Sequence, residues 1–294
     1  MSRISRCQEG AAVTEPSSGQ TDNDNDPFAI DLSAPHPARV QNALAGGDDN
    51  FSADRKVVDR MGEVLPGGVD TARASVRSLS GFAIRAVQYL AAEAGIRQFL
   101  NVGVTIPTTR NEHEIAQQAA SNTRFVYVGN DPLVLAHAHS FGKRSNEGTI
   151  TAYVCGSVRD PQAILRQAQA TLDFELPVAI VMLTTLNFVP DGNDPRGKVA
   201  AFLKAVPSGS YFVLAHSSGD FEAKGMAEAT AQLKVAFSNQ WVIRPRAEIA
   251  SFFDGLDMVS PGLVQIDMWR PFAAYDPDAV DRPPPIYAGV ARKQ

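Results

Sequence analysis

Residues 98–109 (QFLNVGVTIPTT) form an apolar run, a glycine and a turn with a proline, a pattern typical of a ligand-binding turn after a buried strand. The amide of Asn101 can hydrogen-bond a ligand, and Gly103 lets the backbone adopt positive φ and approach a ligand closely. Such turns usually have a second glycine two residues later, but this chain has Thr105. The branched side chain of threonine disfavours positive φ and keeps the backbone away from a ligand. The segment therefore predicts a small-molecule site with altered backbone contacts.

Polar or glycine residues also follow three further apolar segments. Gly129, Asn130 and Asp131 follow the first of them, Ser157 follows the second, and Thr185 ends the third. Ligands of open α/β sheets bind at the carboxyl ends of the strands, so we expect these residues to line one pocket with the turn described above. The alternative at each position is an ordinary connection between a strand and a helix. Asp131 in particular precedes a proline, which is typical of a helix N-cap.

The histidines are the other candidates for chemistry. His216 ends the fifth apolar segment, where a base could face a substrate; the alternative is a structural hydrogen bond at the strand end. His113 begins the helical segment after the first turn and could face the same pocket. His137 and His139 are two residues apart on a predicted helix and point in different directions, so no metal site is predicted.

Short apolar strands alternate with helical segments over the middle of the chain. Strands that are apolar throughout and separated by helices predict an α/β fold, with a parallel sheet covered on both faces. The last two predicted strands have no full helix between them, which favours an antiparallel hairpin at the sheet edge. The predicted strands are 99–103, 124–128, 149–154, 178–185, 210–216, GLVQIDMW and IYAGVARK, and the predicted helices are 112–120, 132–141, 161–170, 194–206, 222–238 and RAEIASFFDGL.

Composition divides the chain into three regions. Residues 1–30 are short and polar with little apolar content, so we expect a disordered tail. Residues 31–95 contain three helical segments, and the third has a continuous apolar face. Residues 96–294 contain the alternating strands and helices. We therefore expect a tail, a helical cap and an α/β core.

Residues 217–245 separate the fifth strand from the next helix. Insertions at this position can form a lid over a substrate, with Phe237 and Trp241 facing it. The alternative is an amphipathic helix that packs four apolar residues on the sheet: Met226, Leu233, Val235 and Phe237. Which of the two applies decides whether this segment contacts a ligand.

Composition and charge exclude several function classes. The formal net charge of −5 lacks the basic surface typical of nucleic-acid-binding proteins, so nucleic acid is not an expected partner. The longest apolar run, residues 178–183, is shorter than the roughly 20 residues of a membrane span, and the N-terminus has no apolar signal core. Cys7 and Cys155 do not suggest a disulfide framework, which fits a reducing compartment. We therefore expect a cytoplasmic protein with a small-molecule substrate.

Several longer segments have idiosyncratic sequences: PHPARV, GGDDNFSADR, AVQYLAAEAGIRQFL, VYVGNDPLVLAHA, YVCGSVRDPQAIL, LNFVPDGNDP, GSYFVLAHSS, RAEIASFFDGLDMVSPGLV and YAGVARK. With these segments the chain resembles an actinobacterial family of S-adenosylmethionine-dependent methyltransferases, formerly a domain of unknown function. The resemblance covers residues 31–293. It implies a Rossmann-like sheet of seven strands, an antiparallel final strand, and N-terminal helices that cap the cofactor S-adenosylmethionine.

The resemblance also implies roles for single positions, and this chain departs from the family at several of them. The family reads Asp-Ile-Gly-Thr-Gly in the first turn, where residues 101–105 read NVGVT. The family's acid at the end of the second strand, which holds the ribose hydroxyls, corresponds to Gly129. Its Asp before the third helix, which faces the adenine amino group, corresponds to Ser157. Asn187 replaces a histidine after the fourth strand, and Leu-Ser at 79–80 replaces an Asn-Arg pair.

These departures weaken polar contacts to a cationic cofactor. Asn101 is neutral where an acid would help to hold the cationic methionine end, and Gly129 offers the ribose no side chain. Three weakened hydrogen bonds at about 1.5–3 kcal/mol each could remove about 4–8 kcal/mol, whereas micromolar binding corresponds to about −8 kcal/mol in total. Asn130 or Asp131 could compensate if the loop shifts. His216, which the family shares, is the candidate catalytic base. The resemblance thus implies a weakened or altered cofactor site at Asn101, Gly103, Thr105, Gly129, Asn130, Asp131, Ser157 and Thr185.

Three functions are open on the sequence. The first is a small-molecule methyltransferase with an altered but working cofactor site. The second is a methyltransferase fold that no longer binds the cofactor and uses the pocket for an isomerisation or cyclisation. The third is a non-catalytic pseudoenzyme that acts as a binding partner, for example of an active paralogue. A homo-oligomer is also compatible with the sequence.

Overall fold

The computed structural model describes residues 31–103, 111–134, 150–221, 223–238, 240–272 and 283–294. The predicted disordered tail at residues 1–30 lies outside the described residues, as do Thr105, His137 and His139. In the described residues, three N-terminal helices precede a sheet that has helices on both of its faces.

The N-terminal helices are α1 (Pro37–Leu44), α2 (Ser52–Val64) and α3 (Gly68–Ala92). The side chain of His36 caps α1 by accepting a hydrogen bond from a backbone amide of its first turn. Asp54 stabilises the start of α2, because it accepts a hydrogen bond from the backbone amide that precedes the helix. Gly67 has φ 82°, in the left-handed region that favours glycine, and it connects α2 to α3. All three helices lie within residues 31–95, the region predicted as a cap.

The strands are β1 (Gln98–Val102), β2 (Arg124–Gly129), β3 (Ile150–Cys155), β4 (Ala179–Leu183), β5 (Tyr211–Ser217), β6 (Leu256–Met258), β7 (Val264–Gln265) and β8 (Ile286–Lys293). Their order across the sheet is β3-β2-β1-β4-β5-β8-β6, and β7 pairs with β8. Strands β1 to β5 are parallel, whereas β8 is antiparallel to β5. The strand order reverses between β1 and β4, which is where ligands bind in sheets of this kind.

The helices after β1 that lie wholly within the described residues are α4 (Glu112–Ala119), α5 (Pro161–Ala168), α6 (Pro195–Lys204), α7 (Ala223–Ala236) and α8 (Arg246–Ala250). Two apolar clusters form the core, one on each side of the sheet. Phe82 of α3 is fully buried on one side, and Ile164 of α5 and Phe202 of α6 are fully buried on the other. The predicted α/β class with a mostly parallel sheet is confirmed. No helix in the described ranges is long and apolar enough to cross a membrane.

The C-terminal part differs from the prediction. The segment GLVQIDMW, predicted as a strand, forms the two-residue β7 and then a 3-10 turn at Ile266–Met268. The guanidinium of Arg85 donates to the carbonyls of Ile266 and Trp269, so these carbonyls are not available to a neighbouring strand. The predicted helix RAEIASFFDGL ends by Phe253, and its last residue begins β6. The antiparallel C-terminal end is therefore confirmed, with eight strands among the described residues in place of the predicted seven.

Candidate functional site

A cavity of about 610 Å³ lies between the N-terminal helices and the carboxyl ends of the strands. Its volume is in the range of pockets that hold small molecules and cofactors. The structure brings four of the predicted cofactor positions together in its wall: Gly103, Asn130, Ser157 and Thr185. The part of the wall formed by helices is mostly apolar: Val40, Leu44, Met61, Leu65, Ala72, Val76, Leu79, Leu233 and Phe237.

Contact between Gly103 and Thr185 shapes the first turn. Gly103 has φ 89°, and a Cβ atom added to it would collide with the side chain of Thr185. Thr185 Oγ1 donates to the carbonyl of Val102 at 2.6 Å, which holds this side chain against the turn. The packing of the strand ends therefore already requires glycine at this position. The effect of Thr105 on the same turn stays a prediction.

Asn101 and Gly129 belong to the strands and do not line the cavity. Asn101 is 4% exposed and lies in register with Tyr127 of β2 and Val181 of β4. Gly129 ends β2, and its carbonyl accepts a hydrogen bond from the amide of Gly156. Contact of Asn101 or Gly129 with a cofactor thus stays a prediction.

A polar cluster joins the end of β2 to α1 and α2; this β2 cluster contains His36, Arg39, Asp54, Asn130 and Asp131. Asp131 is 2% exposed, and its Oδ1 accepts hydrogen bonds from the amides two and three residues later, as a helix cap does. Its Oδ2 lies 3.2 Å from Arg39 Nε and 3.5 Å from His36 Nδ1. Arg39 Nε also lies 3.8 Å from Asp54 Oδ1. Both carboxylate oxygens of Asp131 are therefore engaged within the protein, in agreement with the helix-cap alternative.

His36 and Asn130 are the members of the β2 cluster that line the cavity. His36 Nδ1 accepts a hydrogen bond from an amide of α1, so we assign the ring proton to Nε2, which lies 3.3 Å from Asn130 Oδ1. Burial lowers the pKa of His36, and the carboxylate of Asp131 partly opposes this effect. His36 is therefore neutral near pH 7. The sequence reasoning missed this residue, although its place before Pro37 at a helix start is a recognisable signal.

The end of β3 contributes Ser157, Arg159 and Asp160 to the cavity wall. Ser157 Oγ accepts a hydrogen bond from the amide of Arg159 at 3.3 Å. Asp160 Oδ1 accepts one at 3.0 Å from an amide of α5 and caps that helix. Arg159 Nη2 donates to the carbonyl of Phe188 at 3.2 Å and to Gln240 Oε1 at 2.8 Å. This edge of the cavity therefore presents a hydroxyl and a guanidinium beside the capping carboxylate.

A second polar cluster lies at the ends of β4 and β5; this β5 cluster contains the buried residues Asn187, His216 and Arg244 and the exposed Asp191. Arg244 Nη1 donates to His216 Nε2 at 2.8 Å, and its Nη2 donates to Asp191 Oδ1 at 2.6 Å. The guanidinium also donates to two backbone carbonyls of the turn after β4, at 3.0 and 2.8 Å. Asn187 donates to the carbonyl of Val242 at 2.6 Å. Arg244 thus connects the loops that follow β4 and β5.

The structure does not support the predicted catalytic role of His216. The side chain is fully buried and is not part of the cavity wall. Nε2 accepts from Arg244, and Nδ1 donates to the carbonyl of Ser217 at 2.8 Å. Burial, together with the smaller effect of the positive charge of Arg244, lowers the pKa of His216 to about 3. Because a general base must reach the proton that it removes, the enclosure of this neutral imidazole favours a structural hydrogen bond over catalysis, and the catalytic role stays a prediction.

Three aromatic rings, Phe188, Phe237 and Trp241, meet in the cavity wall; we call them the aromatic trio. The ring centroids of Phe188 and Phe237 are 5.2 Å apart, and those of Phe188 and Trp241 are also 5.2 Å apart. Leu233 of α7 is buried with Phe237 against the N-terminal helices, whereas Val235 is 72% exposed. The amphipathic helix of the alternative prediction is therefore present as α7. It packs on α1 to α3 and not on the sheet, and the residues at its end line the cavity.

The remaining candidate among the described histidines does not line the cavity. His113 lies outside the cavity wall, with its Nδ1 3.1 Å from the hydroxyl of Tyr127. That hydroxyl donates to Glu112 at 3.1 Å, so the start of α4 is connected to β2. Among the described residues, no group of three or more His, Cys, Asp or Glu side chains could hold a metal ion.

The polar groups in the described wall fit S-adenosylmethionine poorly. The resemblance places an acid for the ribose where this chain has Gly129, and an acid for the adenine where it has Ser157. The neighbouring carboxylates are Asp131, which faces Arg39 outside the wall, and Asp160, which caps α5. Of these two, only Asp160 lines the cavity, so the described side chains do not supply both of the carboxylates that the resemblance assigns to the cofactor.

Comparison with known proteins identifies the family. A family model described as S-adenosyl methyltransferase matches residues 23–294. The solved structure of a DUF574 family protein from Streptomyces avermitilis MA-4680 is 36% identical, with a TM-score of 0.84, and the match covers 90% of this chain and 100% of that one. A structure from Thermobifida fusca YX is 33% identical, with a TM-score of 0.82, and the match covers 90% of this chain and 97% of that one. No curated protein matches the sequence. The chain therefore belongs to the S-adenosyl methyltransferase family.

Proposed function

We propose that the protein is a small-molecule member of this family whose cofactor site is weakened, so that S-adenosylmethionine binds weakly. The observation that carries the proposal is the position of Asp131. This acid is the nearest one in sequence to the ribose position at Gly129, yet it is 2% exposed and turned away from the cavity. Its two oxygens cap a helix and face Arg39.

If Asp131 bound the ribose in place of the acid missing at Gly129, it would lose its present contacts within the protein. To reach a ribose, the carboxylate would have to leave the backbone amides that it caps and the guanidinium of Arg39. A helix cap contributes about 1 kcal/mol, and removing one partner of a buried ion pair costs about 3–5 kcal/mol. These losses would offset what a new ribose contact gains.

The cavity itself favours a small-molecule ligand. Its volume of about 610 Å³ and its mostly apolar wall with a few polar groups are typical of ligand pockets. Methyl transfer depends mainly on positioning the reactants, so the enclosed state of His216 does not argue against a transferase. The family and the cavity thus favour binding of a small molecule, and the polar departures argue for weak binding of the methyl donor.

Isothermal titration with S-adenosylmethionine and with S-adenosylhomocysteine tests the proposal. For the natural protein we expect a Kd above about 100 μM for both. Gly129→Asp and Ser157→Asp, singly and together, should tighten binding about tenfold or more, because each restores a carboxylate at a family position. Gly192→Asp is the matched control, since Gly192 is exposed and a Cβ there has no atom within 4 Å.

The titration separates the outcomes clearly. Low-micromolar binding by the natural protein would contradict a weakened site. Tighter binding by Gly129→Asp or Ser157→Asp, without a change in Gly192→Asp, would support it. A thermal melt of each variant without ligand shows whether the new charge has damaged the fold.

A second function has one observation in its favour. The aromatic trio and Arg159 line the cavity at positions to which the resemblance assigns no cofactor contact. The surface formed by the aromatic trio and Arg159 would also suit a protein that no longer binds the cofactor. Such a protein would act as an isomerase, a cyclase or a non-catalytic binding partner. Absence of any heat with both cofactor forms, in the natural protein and in the variants, would favour this function.

A further inference from the structure

The aromatic trio and Arg159 form one continuous part of the cavity wall. Arg159 Nη2 donates to the backbone carbonyl of Phe188 at 3.2 Å and to Oε1 of Gln240 at 2.8 Å. Gln240 directly precedes Trp241, so both hydrogen bonds place the guanidinium beside residues of the trio. Within the described ranges, the side-chain hydrogen bonds of Arg159 involve Nη2 alone, and Nε and Nη1 have no described acceptor.

The three rings present aromatic surface to the cavity. Phe188 and Trp241 are half-buried, and Phe237 is 6% exposed. Phe188 packs edge to face against both other rings, with interplanar angles of 80° and 65°. Rings arranged in this way can accept a further ring either by stacking or edge to face. This part of the wall therefore favours a planar aromatic occupant over an aliphatic one.

The charged groups beside the aromatic trio favour a ligand that carries a hydrogen-bond acceptor. Arg159 contributes a permanent positive charge with donors that no described residue uses. Asp160 is the other charged side chain at this edge. Its Oδ1 accepts a hydrogen bond from an amide in the first turn of α5, and the positive end of that helix offsets the charge of the carboxylate. His36, across the end of β2, is neutral near pH 7. An oxygen anion is therefore better accommodated than an ammonium group.

We propose that the cavity binds a planar aromatic molecule with an oxygen acceptor, such as a carboxylate or a phenolate, at one end. Its rings contact the aromatic trio, and its oxygen accepts from Arg159. This inference rests on the proposed function, because it names the class of small molecule that the same cavity takes. The proposed contacts of the aromatic molecule involve neither the turn after β1 nor Asp131.

The test is isothermal titration of the full chain, without cofactor, with three matched probes. 2-Naphthoate is planar and carries a carboxylate, decahydro-2-naphthoate has the same carbon skeleton without aromatic rings, and 2-naphthylmethylamine has the rings with a cation. We expect 2-naphthoate to bind most tightly, by about tenfold or more over each of the others. Equal affinities, or no binding of 2-naphthoate, would overturn the proposal.

Two variants assign the two preferences to residues. Arg159→Gln should remove the preference for 2-naphthoate over the amine, and Trp241→Leu should remove the preference for 2-naphthoate over its saturated analogue. Arg166→Gln, exposed on α5, and Phe272→Leu, 69% exposed, are the controls that should keep both preferences. Because each readout is a ratio of affinities within one variant, a general loss of stability does not imitate the result. Preferences that survive in Arg159→Gln and Trp241→Leu would overturn the assignment.

Titration of the same samples with S-adenosylhomocysteine separates this inference from the proposed function. Weak binding of S-adenosylhomocysteine without any preference among the probes would refute the aromatic ligand and leave the weakened cofactor site standing. Tight binding of S-adenosylhomocysteine with a clear preference for 2-naphthoate would refute the weakened site and support the aromatic ligand.

Discussion

The β2 cluster and the β5 cluster are built from the same kinds of residue but relate differently to the cavity. Each contains a histidine, a buried arginine and a carboxylate, and each lies at the carboxyl ends of the strands. In the β5 cluster, Arg244 and a backbone carbonyl enclose His216 completely. In the β2 cluster, His36 and Asn130 form part of the cavity wall.

The comparison shows that residue type at a strand end does not by itself indicate a reacting group. Arg244 and Arg39 are 2% and 3% exposed, and both bind acceptors that belong to the fold. The charged residues therefore hold loops and helices together in both clusters. Exposure to the cavity is what separates a group that can meet a ligand, such as His36, from one that cannot, such as His216.

The largest expected effect comes from removing Arg244. Arg244→Leu leaves His216 Nε2 and two buried carbonyls without their donor. Each unsatisfied group costs about 1–3 kcal/mol. Because neighbouring losses do not add fully, we expect the free energy of unfolding to fall by about 3–5 kcal/mol. Urea denaturation followed by circular dichroism measures the change.

An exposed arginine provides the control for that measurement. Arg196 is 59% exposed and pairs with Asp254, which is 68% exposed. Because exposed ion pairs contribute little, Arg196→Leu should change the free energy of unfolding by about 1 kcal/mol or less. Similar losses in Arg244→Leu and Arg196→Leu would show that the β5 cluster does not have the structural role inferred here.

A smaller effect is expected in the β2 cluster. Asp131→Asn keeps a good N-cap side chain but removes the charge that faces Arg39. Since Asp54 still lies 3.8 Å from Arg39, we expect a loss of about 1–3 kcal/mol in the free energy of unfolding. Asp131→Ala also removes the cap and should cost about 1 kcal/mol more. Equal stability of Asp131→Asn and the natural protein in urea would show that the ion pair contributes nothing.

The sequence predicted the parallel part of the sheet well and its C-terminal edge poorly. The predicted strands 149–154 and 178–185 correspond to Ile150–Cys155 and Ala179–Leu183, because long apolar runs are a local signal. β6 at Leu256–Met258 is short and partly exposed, so it has no such signal. It forms because β8, from the end of the chain, pairs with it.

The candidate site was predictable where the signal is local. Asp131 before a proline and Gly103 after a strand can be identified from their neighbours in sequence. Arg39 and Arg159 could not be identified, because their partners, Asp131 and Gln240, lie far away in the chain. The enclosure of His216 by Arg244 is a tertiary contact of the same kind, which the sequence does not reveal.

The smallest expected effect is the pH dependence of stability caused by His216. Its pKa is about 3 in the folded state, against 6.5 for an ordinary histidine, so the unfolded chain binds this proton more readily. The stabilisation is therefore complete above pH 6.5 and is lost progressively as the pH falls towards 3. Lowering the pH from about 7.5 to about 5.5 should cost roughly 1 kcal/mol of unfolding free energy through this residue.

Other groups also titrate over this range, His36 and His113 among them, so the measurement has to be a difference between two proteins. His216→Gln is the suitable partner, because its amide oxygen can accept from Arg244 without titrating. The stability advantage of the natural protein over His216→Gln should shrink by roughly 1 kcal/mol from about pH 7.5 to about pH 5.5. Parallel pH profiles would mean that the imidazole accepts its proton freely in the folded state. His216 would then be open to water and could still serve as a base, and the contrast between the two clusters would fail.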